Sequence, residues 1–251
     1  MFLILFFSAA VSSQLFGDGG PTENEQEKVV LQLKWFYQFQ FAGYIAAFEQ
    51  GYFAEEGLDV EIRQGGPEIS PAEEVAEGRA DFGIENSEAL LHRLRGKPLV
   101  AMAAVLQHSP LQLLSRKNSP YKTPHDLIGE KVMMGDGVRD IEIVAMFQQE
   151  GVSVESVEKL GYTLDPAVFL DPEIAAIAAY STNTPYLLKQ AGIEYRTISP
   201  ISYGIDFYSD VLFTNETMIK RRDETVISFR RAAMKGWKYA MEHPYELANT
   251  I

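Results

Sequence analysis

From Val29 onward the chain alternates short β-rich runs with amphipathic stretches, and a glycine or proline closes most of them. That alternation is the signature of βαβ units around mainly parallel sheets. Val29 to Trp35 (VVLQLKW) predicts a strand, and Phe41 to Gln50 a helix stopped by Gly51. Leu58 to Arg63 alternates as a second strand, Pro71 to Glu77 makes a short helix with Ser70 as N-cap, and Ala80 to Ile84 a third strand. Ser87 is placed to cap a helix over Glu88 to Arg95, and the apolar run Leu99 to Leu106 follows the breakers Gly96 and Pro98. A second set opens after Ser109-Pro110. It has strands at Leu111 to Ser115, Lys131 to Met134, Ile174 to Tyr180 and Tyr195 to Ile198. Helical patterns lie at Thr123-Pro124, Asp140 to Gln149 and Pro185 to Gln190. The strand Val211 to Thr214 and a long helical pattern from Glu216 to about Met241 then return to the first set.

With 251 residues, 46% of them hydrophobic, the chain is long enough for two compact lobes. The expected division is a signal peptide over 1–13, a flexible tether over 14–28, a first lobe from 29–108 plus 212–251, and a second lobe over 109–211. Hinge crossings fall near 106–112 and 199–212. The leader reading rests on the apolar stretch MFLILFFSAAV running into small residues. No Lys or Arg precedes Lys28, so the natural start is expected upstream of Met1.

Composition then removes whole classes of function. A net charge of −13 opposes contact with nucleic-acid phosphates. The absence of cysteine rules out disulfides, thiolate metal sites and a cysteine nucleophile. The four histidines, His92, His108, His125 and His243, have no metal-ligand spacing. Gly65-Gly66 and Gly135-Asp136-Gly137 lack a phosphate-loop pattern and read as turns. No metal and no cofactor is expected.

The blocks LQLKWFYQFQFAGYIAAFEQGYFAEEGLDV, GRADFGIENSEALL, YSTNTPYLLKQAGIEY, YGIDFYSDVLFTNE and FRRAAMKGWKYAMEHPYELA occur in that order. Together they resemble the solute-binding family of thiamine-pyrimidine precursors, whose domain recurs in ABC importers of the nitrate, sulfonate and taurine type. The resemblance implies a type II periplasmic-binding-protein fold, α/β, with two lobes and a ligand cleft between them. Open α/β sheets bind ligands outside the carboxyl ends of their strands, and several candidate contacts stand at such ends. Trp35 ends the first strand within an aromatic run with Phe36, Tyr37, Phe39 and Phe41, a surface for a planar guest. Gln38 lies in the same run. Asn86 and Ser87 follow the third strand, while Tyr180 and Asn183 flank the end of the Ile174 to Ala179 run. The loop holding Asp206, Tyr208 and Asp210 sits where the chain recrosses, and Asp206 is carried over by resemblance as an acceptor for an aminopyrimidine or ammonium. Where pyrimidine-binding relatives often have a histidine or polar residue, this chain has Phe41, which implies a more apolar pocket.

The resemblance implies a protein that captures a small, planar, nitrogen-containing ligand outside the cytoplasm, as a monomer, and delivers it to the membrane permease of an ABC importer. An alternative partner for the same domain is a signalling module that senses closure. A third branch resembles the fungal pyrimidine synthase, which consumes pyridoxal phosphate and its own histidine; that branch carries a cysteine-rich iron motif, and this chain has no cysteine. The family domain usually continues past the long helix, so a C-terminally shortened reading frame is expected.

Overall fold

The computed structural model describes residues 26–135, 139–163 and 166–251. The expected leader, nearly all of the tether and the Asp136-Gly137 part of one turn lie outside the described residues. Two five-stranded sheets organise the chain. The first contains β1 (Glu27–Gln32), β2 (Leu58–Arg63), β3 (Phe82–Glu85), β4 (Leu99–Leu106) and β10 (Ser209–Asn215), in the order β2-β1-β3-β10-β4. The second is drawn wholly from the middle of the chain. It contains β5 (Leu111–Arg116), β6 (Lys131–Met133), β7 (Glu158–Leu160), β8 (Ile174–Tyr180) and β9 (Tyr195–Ile198), in the order β7-β6-β8-β5-β9. The chain therefore passes between sheets twice, from β4 to β5 and from β9 to β10.

These crossings make both sheets mixed, where the alternation pattern suggested mainly parallel ones. β1 runs parallel to β2 and β3, and β6 parallel to β7 and β8. β10 is antiparallel to β3 and β4, and β5 antiparallel to β8 and β9. A strand arriving from the other lobe enters its new sheet at the edge where the neighbouring strands finish, so it can only run back against them. The same geometry brings the ends of β3 and β8 beside the starts of β10 and β5.

Helices α1 (Ala42–Glu49), α2 (Tyr52–Glu55), α3 (Pro71–Ala76) and α4 (Glu88–Leu94) belong to the first half, and α5 (Ile141–Gln149) and α6 (Thr184–Gln190) to the second. The helical pattern expected over Glu216 to Met241 is broken into α7 (Glu216–Arg221) and α8 (Asp223–Glu242), with α9 (Pro244–Thr250) beyond. Arg222 makes the break with an extended φ of −141°. Its guanidinium is used elsewhere, donating to Asp81 at 2.7 Å and to Glu27 at 2.6 Å. That pairing holds the start of β1, which begins at Glu27, two residues before the expected strand. Among the described residues no helix is long and apolar enough to cross a membrane.

Each sheet has its own apolar core. Leu31, Leu33, Tyr44, Phe82 and Phe229 pack in the first, and Leu113, Val132, Phe147 and Ala176 in the second. The buried positions of α8, among them Val226, Phe229, Ala233, Gly236 and Ala240, recur every three or four residues and form one face. Phe229 stacks on Phe82 with centroids 3.8 Å apart, and burying such a side chain stabilises by about 1.5–3 kcal/mol. Farther along α8, Gly236 lets the helix approach α1 until its backbone touches Gly43 and Ala47. A Cβ at Gly236 would collide with the Gly43 carbonyl oxygen and the Ala47 side chain. Gly236→Ala is therefore expected to destabilise by about 1–3 kcal/mol, the range for overpacking. A urea midpoint equal to the parent's would show that the two helices are not in contact as described.

Candidate functional site

The strand ends that the crossings bring together carry a polar knot. Lys34 leaves β1 two residues after Gln32 and turns its amine into the gap between the sheets. There it meets Asn86 Oδ1, the Tyr180 hydroxyl and the Asp210 carboxylate. Asn86 follows β3 in the first lobe, Tyr180 ends β8 in the second, and Asp210 lies on β10 as the chain returns. The Ser209 hydroxyl donates to Asn86 Oδ1 at 2.7 Å and lies 2.8 Å from the Tyr180 hydroxyl. Gln40 Nε2 donates to both Asp210 oxygens at 2.9 Å. Asp210 adopts a left-handed backbone, φ 48°, a conformation that costs a non-glycine residue on the order of 1–3 kcal/mol and persists where surrounding contacts enforce it. Burial works against a charged Lys34, yet the Asp210 carboxylate and its hydrogen bonds outweigh it and raise the amine above its usual range.

Around this knot the two lobes touch through rings and side-chain amides. Trp35 meets Phe36 of its own lobe edge to face at 5.6 Å and Tyr162 of the other lobe at 5.9 Å. Asn183 Nδ2 donates to Gln38 Oε1 at 3.2 Å across the same gap. Tyr162 donates to Asp140 Oδ2 at 2.5 Å, and that oxygen also accepts the Gly135 N–H at 2.7 Å. Four carboxyl groups gather nearby, Glu85 and Glu88 from the first lobe and Asp140 and Glu142 from the second. Burial pushes all four upward, Glu85 to about 7, with Lys34 opposing the shift in each.

The residues expected from sequence divide between this cleft and a second place. Trp35, Gln38, Asn86, Tyr180 and Asn183 meet at the gap. Phe41, expected to line the pocket, is fully buried in the first core with Leu33 and Tyr44. It stands at the start of α1, and its ring points inward with the buried face of that helix. Ser87 does not cap α4, because its backbone already has helical angles; its hydroxyl instead donates to the Tyr208 carbonyl at 2.5 Å. Ser87, Asp206 and Tyr208 line a separate groove of about 550 Å³ with Leu90, Leu94 and His108. In that groove Asp206 pairs with His108 Nδ1 at 2.9 Å, tying one crossing to the other. The buried acid beside the knot is Asp210, four residues on. Sequence reasoning missed Lys34, Gln40, Glu85, Glu88, Asp140, Glu142 and Tyr162 as site residues. The only signal available was a lysine interrupting an apolar strand directly before Trp35.

Removing one member of the Lys34–Asp210 pair leaves a buried charge alone, so Lys34→Met should destabilise by about 3–5 kcal/mol in urea unfolding. Adding Asp210→Leu to that variant should recover part of the loss, and a double variant no more stable than the single one would contradict the pairing. The raised carboxyl Glu85 adds a pH dependence. Its stabilising proton is fully held below the unfolded pKa near 4.5 and is lost as pH rises through about 7. The thermal midpoint should thus fall between pH 5 and pH 8, and Glu85→Gln should flatten that fall.

Comparison with known proteins gives the chain its relatives. The formylaminopyrimidine-binding protein of Halalkalibacterium halodurans is 26% identical over 256 residues, covering 100% of this chain and 76% of that protein. The 4-amino-5-hydroxymethyl-2-methylpyrimidine phosphate synthase of Legionella pneumophila is 22% identical over 230 residues, 88% of this chain and 72% of that one. Among solved structures, the periplasmic aliphatic sulphonate binding protein SsuA from Escherichia coli superimposes with a TM-score of 0.63 at 15% identity, over 89% of this chain and 78% of that chain. That likeness identifies the fold as the two-lobed periplasmic-binding-protein type. The model of the family described as NMT1/THI5 like matches residues 38–247, and the chain belongs to that family.

Proposed function

We propose that this chain is an extracytoplasmic solute-binding protein, a clamp whose lobes close on one small, planar, nitrogen-containing ligand and hand it to the permease of an ABC importer. The observation that carries this reading is the contact set spanning the gap: Trp35 on Tyr162, Gln38 on Asn183, and Lys34 and Asn86 on Tyr180. All of these contacts join side chains at strand or helix ends of one lobe to those of the other, so they form only on closure. A ligand that touches both lobes favours the closed state by the interactions it makes there alone. The pyrimidine named in the Halalkalibacterium relative is a flat heterocycle, suited to the Trp35 ring. Import requires the ligand to leave unchanged, and capture by closure demands no chemistry on it.

A synthase reading is supported by the name of the Legionella relative. This chain contains no cysteine to supply a thiolate for iron or for nucleophilic attack. We therefore favour binding without turnover, with the closed lobes or a signalling partner reading out occupancy. The test is a thermal-shift and small-angle scattering screen with formylaminopyrimidine, nitrate, sulfonates and polyamines. A ligand at one hundred times its Kd should stabilise by ~2.7 kcal/mol, reduce the radius of gyration and emerge chemically intact. Trp35→Ala should lose most of the shift produced by a heteroaromatic ligand. Equal binding by that variant would remove Trp35 from the site, and a consumed ligand would favour the synthase.

A further inference from the structure

The Tyr180 side chain belongs to both lobes at once. Its backbone ends β8, paired with Leu111 of β5, and its ring packs on the apolar core of the second lobe. Its hydroxyl crosses the gap. The proton goes to Asn86 Oδ1 at 2.7 Å, the oxygen accepts from the Lys34 amine, and the Ser209 hydroxyl lies 2.8 Å away. All three partners stand in the first lobe.

The first-lobe side of this junction is complete by itself. Lys34 bonds Asp210 and Asn86, Ser209 donates to Asn86 Oδ1 at 2.7 Å, and Gln40 Nε2 secures Asp210 at 2.9 Å. These groups sit on or just beyond strands of one sheet, so they need nothing from the second lobe to hold their places. Together they form a socket that fits one hydroxyl. Ser209 is 0% exposed and Asn86 8%, so the bonds in the socket are dry, and one of them has a charged donor. Both conditions strengthen a hydrogen bond. The rim contacts, Asn183 to Gln38 at 3.2 Å and Arg139 to the Ile69 carbonyl at 2.9 Å, are single bonds nearer solvent. The Asp140 N–H reaches Glu88 at 3.3 Å, a long bond. Burial raises Tyr180 above the usual phenol range, so the hydroxyl keeps the proton it donates.

We propose that Tyr180 is a latch: its hydroxyl, seated in the socket of Lys34, Asn86 and Ser209, sets the ratio of closed to open clamp before any ligand arrives. The latch uses only side chains of the protein itself, so closure carries a stabilisation of its own to which a ligand adds. A ligand that binds the closed form alone is then held more tightly in proportion to the closed fraction. The proposal rests on the clamp reading and adds regulation to it. Affinity is tuned through the balance of the two forms, apart from any contact with the guest.

The chain has no cysteine, so Lys189→Cys on α6 and Lys238→Cys on α8 place one spin label on each lobe, both at exposed positions. Double electron–electron resonance on the full chain without ligand should show a population at the label distance of the closed structure. Tyr180→Phe keeps the ring in its core and removes only the hydroxyl. It should lower the ratio of closed to open forms on the order of tenfold, the effect of losing one bond to a charged donor. Ser209→Ala, which weakens the socket and leaves Tyr180 whole, should shift the ratio the same way by a smaller factor. It carries the test if unfolding curves show that Tyr180→Phe does not fold. A parent without the closed distance, or a ratio equal in parent and Tyr180→Phe, would overturn the latch. A role for Tyr180 as a ligand contact alone would leave the unliganded ratio unmoved and so gives that second result. Compounds of the ligand screen that raise the closed fraction, with Tyr180→Phe failing to lower it, would refute the latch and leave the clamp. One fixed distance with every compound and both variants would refute the clamp itself.

Discussion

The buried pairing of Lys34 with Asp210 is the constraint on which the rest depends. Each residue would be intolerable in that position without the other. Lys34 lies just past a strand in the first apolar core, and Asp210 sits in a left-handed backbone on the strand returning from the second lobe. Their attraction holds the end of β1 against the start of β10, and Asn86, Ser209 and Tyr180 take up the remaining donors and acceptors. Because Tyr180 comes from the second sheet, the same knot sets how the two lobes meet.

The mixed sheets follow from the same crossings. A strand that re-enters a lobe at the carboxyl ends of its neighbours places its own first residues among theirs. This is why Ser209 and Asp210 lie beside Asn86, and why Leu111 pairs with Tyr180. The cleft is built where backbone ends are plentiful and regular pairing stops. Polar side chains there satisfy one another. Away from the cleft, the lobes are held by ordinary apolar packing, with Phe229 of α8 closing the first core over Phe82.

The charge distribution gives the cleft its chemical character. Aromatic edges from both lobes, Trp35 and Tyr162, stand beside an excess of buried carboxyl groups. Asp206 and His108, by contrast, are exposed and join one crossing of the chain to the other.

The sequence by itself determined the local elements and the number of lobes, because periodicity, breakers and caps act over a few residues. Leu58 to Arg63 and Tyr195 to Ile198 form strands with the expected bounds, and Ser70 caps α3 as its spacing suggested. The three-residue strand β7, Glu-Lys-Leu, carries no such local signal and exists because β6 offers it a parallel edge. The positions of Trp35, Asn86 and Tyr180 just at or past strand ends were legible because a strand end is recognisable from its own neighbours. Only the tertiary structure decided which way each side chain turns. It sent Phe41 into the core, drew Ser87 toward Tyr208, and chose Asp210 over Asp206 as the buried acid. Lys34 could be judged only once its partners, distant in the chain by 52 to 176 residues, were brought around it. A buried charge depends on such long-range company, and no local pattern encodes it.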